Sequence, residues 1–228
     1  MPEAFRARPG PKGGPRRKAG LPPEVVSELR HASRSGKADA TISRLERAVH
    51  LLERGDARGA AAEAAKAKEL APRSPTVREM LGLALYRLER FAQALSEMQA
   101  YRRMSGRADQ NHIIADCLRA VGRPERAVPL AEEALRAKGV PLSAKAEAVI
   151  VAASALADQS KFDQALGMLR RIRTRDDVAG PEVLRVWYVT GSILEQAGRR
   201  GEARREFQKI VRHDPGAYDA AERAAQLA

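Results

Sequence analysis

The chain has 228 residues, 44% hydrophobic and 4% aromatic, and carries a formal charge of +12. Its single cysteine, Cys117, excludes an intrachain disulfide and a metal site built from several thiolates. No apolar run reaches the roughly 18 residues of a membrane span, and the basic surplus favours polyanionic surfaces without identifying one.

Residues 1–20, MPEAFRARPGPKGGPRRKAG, are rich in Pro, Gly and Arg. Such a segment buries too little apolar surface to offset its ordering entropy, so it reads as a disordered basic tail. Residues 1–40 hold nine Lys/Arg against four Asp/Glu. The tail suits an electrostatic arm toward RNA, the ribosome or another acidic surface, with salt-dependent binding. The plainer alternative is a solubilising extension. Phe5 is its one aromatic residue, thin support for base stacking. No apolar stretch follows the basic residues, so a secretory signal is not expected and the cytoplasm is the expected compartment.

Residues 21–34, LPPEVVSELRHASR, predict a short helix with Pro22 and Pro23 in its first turn and Val25, Val26 and Leu29 on one stripe. Ser35-Gly36-Lys37 breaks it. Residues 21–40 are thus an N-terminal capping helix and linker. Paired helices follow over 41–54 with 57–70, 75–88 with 91–104, 108–121 with 124–137, 143–158 with 161–174, and 182–197 with 200–212. The connections at Gly139-Val140-Pro141 and across Asp176-Asp177 to Pro181 are the loosest. Residues 216–228 predict a final capping helix, with Tyr218 and Ala221 inward and Asp219, Glu222 and Arg223 toward water.

An alanine recurs in phase along these pairs, at Ala60, Ala94, Ala127, Ala165 and Ala203, in steps of 34, 33, 38 and 38 residues. Small residues at fixed positions let paired helices approach closely, and larger aliphatic and aromatic residues fill the space around them. A period of this size marks stacked helical hairpins. The last unit reads Trp187-x2-Thr190-Gly191-x2-Leu194, then Gly198, Ala203, Phe207, Ile210 and Pro215. The second carries Leu81-Gly82, Leu85, Phe91, Ala94 and Met98. These residues resemble the tetratricopeptide repeat. The resemblance implies an all-α, right-handed superhelical solenoid of about five hairpins over residues 41–228, with a short helix at each end. It also implies a non-catalytic scaffold that binds a protein or peptide in a concave groove. The LPPEVVSELR helix before repeats such as IADCLRAVGRPERA is similar to bacterial repeat proteins with a basic Pro/Arg/Gly-rich head. The Ala and Arg content suggests a GC-rich bacterial source.

The first unit departs from the pattern, with Arg44 and Arg47 where the family tends to carry Trp and Leu. Its apolar stripe is Ile42, Leu45, Val49 and Leu52, and the helix of residues 21–34 is expected to lie on it.

Carried over by alignment, the groove would be lined by Tyr86 and Arg87 in the second unit, by His112, Asp116 and Arg119 in the third, and by Arg185 and Tyr188 in the fifth. Tyrosine and arginine are favoured there as interface anchors. Thr76, Glu79, Leu83, Asp109, Glu147, Ile150, Ser154, Ser192 and Glu195 share these positions. The family's Lys/Asn clamp for a terminal carboxylate has no counterpart, since Leu45, Val49, Met80, Asp109 and Ile113 stand in its place. The acidic residues of the groove favour a mixed or basic peptide. The alternative function is a nucleic-acid- or ribosome-associated factor held by the tail and the basic surface.

No catalytic motif, phosphate loop or metal-ligand spacing is present, and no cofactor is expected. His31, His50, His112 and His213 lie in different units. His213 suits the negative end of a helix. Cys117 has no adjacent base and reads as a small packing residue.

Overall fold

A computed structural model describes residues 20–174 and 179–228, so the basic tail up to residue 19 and the Asp176-Asp177 pair lie outside the described residues. All regular structure among the described residues is helical. The helices are α1 (Pro23–Ala32), α2 (Ala38–Glu53), α3 (Ala57–Leu70), α4 (Pro75–Arg87), α5 (Phe91–Ser105), α6 (Asn111–Ala120), α7 (Ala127–Arg136), α8 (Leu142–Ala157), α9 (Phe162–Leu169), α10 (Pro181–Gln196), α11 (Arg200–His213) and α12 (Ala220–Gln226). They gather into two compact units, one ending at Arg107 and the other starting at Ala108.

Local chemistry sets the boundaries. The Asp56 carboxylate accepts from the Gly59 amide and opens α3, and the Ser74 hydroxyl accepts from the Val77 amide and opens α4. Gly106, at φ 67°, closes α5 in the left-handed conformation that glycine adopts without steric penalty. One expected helix begins differently. Residues 124–126 form a single 3-10 turn before α7. Pro129 has no amide hydrogen for the Glu125 carbonyl, and its ring would clash there, so an α-helix starting at 124 is blocked.

In the first unit, hairpins α2/α3 and α4/α5 pack in sequence, with α1 against α2. Leu29 of α1 is fully buried with Leu45, Ala67 and Val77, and Leu21, Val25, Ile42 and Met80 pack around them. Val26, Val49 and Leu52 are half-buried outside this cluster. Arg44 and Arg47 converge on Glu63 of α3 at 2.9 and 3.1 Å, joined by Lys66 at 3.3 Å. The departure of the first unit from the repeat pattern thus puts an ionic cluster where an apolar surface would otherwise stand.

In the second unit, α6/α7, α8/α9 and α10/α11 form hairpins, and α12 packs on α11. All five phased alanines are at 0% exposure. Paired helices approach closely opposite two glycines. A β-carbon at Gly82 would come within 2.9 Å of the Met98 side chain, and one at Gly191 within 2.9 Å of the Phe207 ring. The final helix differs from expectation in register. Tyr218 has φ 56°, which delays the helix to Ala220. Ala217, Ala220, Ala224 and Leu227 are therefore the buried residues, while Ala221 is exposed.

Candidate functional site

The first helices of successive hairpins carry the residues singled out from the sequence. In the first unit Tyr86 is half-buried at the end of α4, edge-on to Phe91 with ring centroids 5.9 Å apart, and Arg87 beside it is exposed.

In the second unit α8 packs between α6 and α10. Positions on the three helices, with Asp109 just ahead of α6, recur every 38 residues, giving the rows Asp109–Glu147–Arg185, His112–Ile150–Tyr188 and Asp116–Ser154–Ser192. The rows bring His112, Asp116, Arg119 and Arg185 to one polar face. Arg119 bridges Asp116 at 2.9 Å and Asp158 at 2.5 Å. Arg185 pairs with Glu147 at 2.5 Å. The His112 Nδ1–H donates to the Asp109 carbonyl at 3.1 Å.

Burial shapes the titration of this face. It lowers the His112 pKa against the opposing pull of the Asp109 carbonyl, Asp109 and Asp116, and Arg185 lowers it further. The net shift favours the uncharged imidazole. Burial raises the Glu147 pKa, Arg185 opposes the rise, and Asp116 adds to it. Cys117 is fully buried on the same helix as His112, and burial, with a further push from Asp116, drives its thiol up to about 12. It is a packing group and not a nucleophile. Among the described residues no cluster of three or more His, Cys, Asp and Glu is disposed to hold a metal ion.

Tyr188 stands apart from the others. Its side chain is covered by the C-terminal segment, leaving 5% exposure. The Tyr218 ring lies 4.5 Å away, the Phe207 ring 5.8 Å, and the Arg223 guanidinium 5.4 Å. Burial and a hydrogen bond to Asp219 raise its pKa, against the pull of Arg223. Arg223, expected in water, instead stacks 4.4 Å over Phe207, donates to the Ser192 hydroxyl at 2.7 Å and pairs with Glu195. The late start of α12 turns this side chain inward. His213, in the last turn of α11, lies against the Trp187 ring at 5.4 Å.

Sequence reasoning favoured aromatic and arginine side chains and so passed over Glu147, Asp158 and Arg223 as principal residues. The 38-residue step from Asp109 through Glu147 to Arg185 was the available signal for the first of these.

Paired helices of this length, with small residues at their contacts and polar first-helix faces, define a helical-repeat protein. The sequence profile described as tetratricopeptide repeat matches residues 29–111 and 150–218, more than half of the chain. The chain belongs to the tetratricopeptide repeat family. Among solved structures it is similar to YrrB, described as a TPR protein with an unusual peptide-binding site, at 20% identity and TM-score 0.56, over 80% of this chain and 90% of that one. It is also similar to TTC0263, a thermophilic TPR protein of Thermus thermophilus, at 18% identity and TM-score 0.57, over 82% and 98% of the two chains. The human IFIT1 dimer with PPP-AAAA is similar at 16% identity and TM-score 0.56, but this chain spans only 51% of it, with 87% of its own length covered. These likenesses establish the fold alone. No curated protein matches the sequence.

Proposed function

We propose that this protein is a non-catalytic scaffold that binds a partner protein or peptide on the first-helix faces of its hairpins. In the second unit the binding residues are His112, Asp116, Arg119 and Arg185, with Tyr188 at the margin closed by α12. In the first unit they are Tyr86 and Arg87. The observation that carries this reading is the half-buried polar face of α6, α8 and α10. It holds His112 among charged groups from all three helices. A scaffold places such groups where a chain laid across the helices can meet several at once. YrrB, a TPR protein with an unusual peptide-binding site, points the same way. No helix among the described residues is long and apolar enough to cross a membrane, and we place the protein in the cytoplasm.

A second reading, contact with RNA or the ribosome through the basic tail and surface, has the +12 charge in its favour. The IFIT1 dimer with PPP-AAAA adds only a likeness of fold.

A photo-crosslinking amino acid at position 112, with a control at exposed Arg205, separates the two in extracts of the source organism. The scaffold reading expects a protein adduct at 112 and none at 205, insensitive to nuclease and lost in Arg185→Glu. Partners that vanish with nuclease, with a steep salt dependence, would defeat it.

A further inference from the structure

The positive charge of the second unit is concentrated around two of its helices. Residues 161–174 and 199–213, which hold α9 and α11, carry ten Lys/Arg against three Asp/Glu. The segment 175–178 adds one Arg and two Asp, too few to offset them. α9 and α11 flank one furrow. Asp163 of α9 pairs with Arg199 of α11 at 3.4 Å. A cavity of about 230 Å³ opens between the helices, floored by Leu166, Leu169, Val186, Trp187 and Leu194. Trp187, Thr190 and Leu194 of α10 line it, whereas Arg185, Tyr188 and Ser192 of the same helix carry the first-helix rows.

The two rims of this furrow spend their charges differently. On α11, Arg199 is shared between Glu202 at 2.7 Å and Asp163, and Lys209 pairs with Glu206 at 2.9 Å. The Arg199 hydrogen bond holds the Glu202 pKa low, and Arg205 and Arg170 add to that pull through space. On α9, Arg170 lines the furrow and Arg173 stands between the lining residues Ile172 and Thr174, both arginines exposed. Arg171 reaches Glu132 at 2.6 Å. Arg170 and Arg173 form no ion pair among the described residues. Arg205 and Arg212 are exposed outside the lining and add only to the field.

An apolar floor beside a cationic rim is matched by a ligand that is apolar at one point and acidic on either side. A nucleic acid fits it poorly. Trp187 is 2% exposed and offers no ring for base stacking. A phosphate chain laid along the furrow would also run past Glu202 and Glu206, two groups of its own sign.

We propose that the furrow between α9 and α11 docks an acidic peptide segment of a partner protein. An aliphatic side chain of that segment enters the cavity, and its flanking carboxylates reach Arg170 and Arg173. This surface is separate from the first-helix face, so either can fail without the other.

Trp187 is the single tryptophan of the chain, so its emission reports from the floor of this furrow. The test titrates the full chain with acetyl-Glu-Glu-Leu-Glu-Glu-amide and with two relatives, one carrying Gln for every Glu and one carrying Ala for Leu. The first peptide is expected to shift the emission saturably, with each relative at least about tenfold weaker. Arg170→Glu/Arg173→Glu should weaken it by about the same factor. Arg123→Glu/Arg126→Glu makes the same change of charge at exposed positions ahead of α7 and should bind as the unaltered chain does. Equal binding of the three peptides, equal loss in the two variants, or an unmoved emission overturns the assignment. So does a six-nucleotide oligoadenylate that binds more tightly than the peptide and is lost in Arg170→Glu/Arg173→Glu. Should that variant fail to fold, the three peptides on the unaltered chain still decide.

Discussion

Two carboxylates, buried Glu97 in the first unit and half-buried Glu147 in the second, titrate in opposite directions. Glu97 of α5 is reached by Lys68 of α3 and Arg78 of α4, both at 2.7 Å. Burial alone would raise its pKa, yet the two cations outweigh burial and lower it. Burial raises the pKa of Glu147 of α8, its one ion-pair cation, Arg185, does not outweigh that burial, and Asp116 adds a smaller push. The same residue type is thus held by two cations in the first unit and by one in the second. Arg78 also donates to the Pro72 carbonyl at 2.9 Å, which ties the Glu97 clamp to the turn between the hairpins. The contrast teaches that the number of cations reaching an acid, set against its burial, decides the direction in which it titrates.

The packing cores differ in a parallel way, and the largest expected effect lies there. Phe207 and Met98 occupy equivalent positions, each opposite the helix glycine of its hairpin. Phe207 is fully buried and in ring contact with Tyr188. Phe207→Ala should cost about 3–5 kcal/mol by denaturant unfolding, the range for a buried aromatic cut to alanine. A loss under 1 kcal/mol would mean that the aromatic group does not hold the second unit, where about 3 kcal/mol is the least expected.

A smaller effect sharpens the same contrast. Alanine is preferred to glycine inside a helix by about 1 kcal/mol. At Gly82 the added methyl meets the flexible Met98 side chain, whose shift should roughly offset that preference and leave Gly82→Ala near neutral. At Gly191 it meets a rigid ring, and overpacking of about 1–3 kcal/mol should prevail. Equal melting shifts for the two variants would show that side-chain compliance does not decide these sites.

Comparable or smaller effects concern charge. Glu97→Gln should destabilise by about 1–3 kcal/mol, because it weakens a clamp between buried or half-buried partners. Glu147→Gln should be neutral or slightly stabilising. The pH dependences should also oppose each other. A carboxylate with a lowered folded pKa confers stability above its unfolded value, and this is lost as pH falls toward the folded value. For Glu63 that window runs from 4.5 down to about 2, since Arg47, Arg44 and Lys66 overcome its burial. Glu97 follows the same sign. The contribution of Glu147 is complete below 4.5 and declines as pH rises through its raised pKa. Matching acid limbs for Glu97→Gln, Glu147→Gln and the unaltered chain would break the distinction between clamp and binding face.

Much of the fold was legible because close helix contacts leave a periodic trace. Ala60, Ala94, Ala127, Ala165 and Ala203 were found by phase, and each is fully buried. Most helix boundaries follow from caps and breakers within a few residues of them, such as Ser74 and Pro75. The site was legible only in part. His112, Asp116, Arg119 and Arg185 follow from alignment, but their pairing with Glu147 and Asp158 joins residues about 38 apart on separate helices. Arg223 was misjudged because a single left-handed residue, Tyr218, shifts the register of the last helix. A charged residue near a terminus reads as solvated until the ring it covers is located.

The sequence alone determined that the chain folds into helical hairpins, since small side chains recurring in phase permit only close helix pairing. Tertiary structure decided which charges are neutralised and which are not. Charge balance depends on distance and burial among residues far apart in the chain, and periodicity carries no record of either.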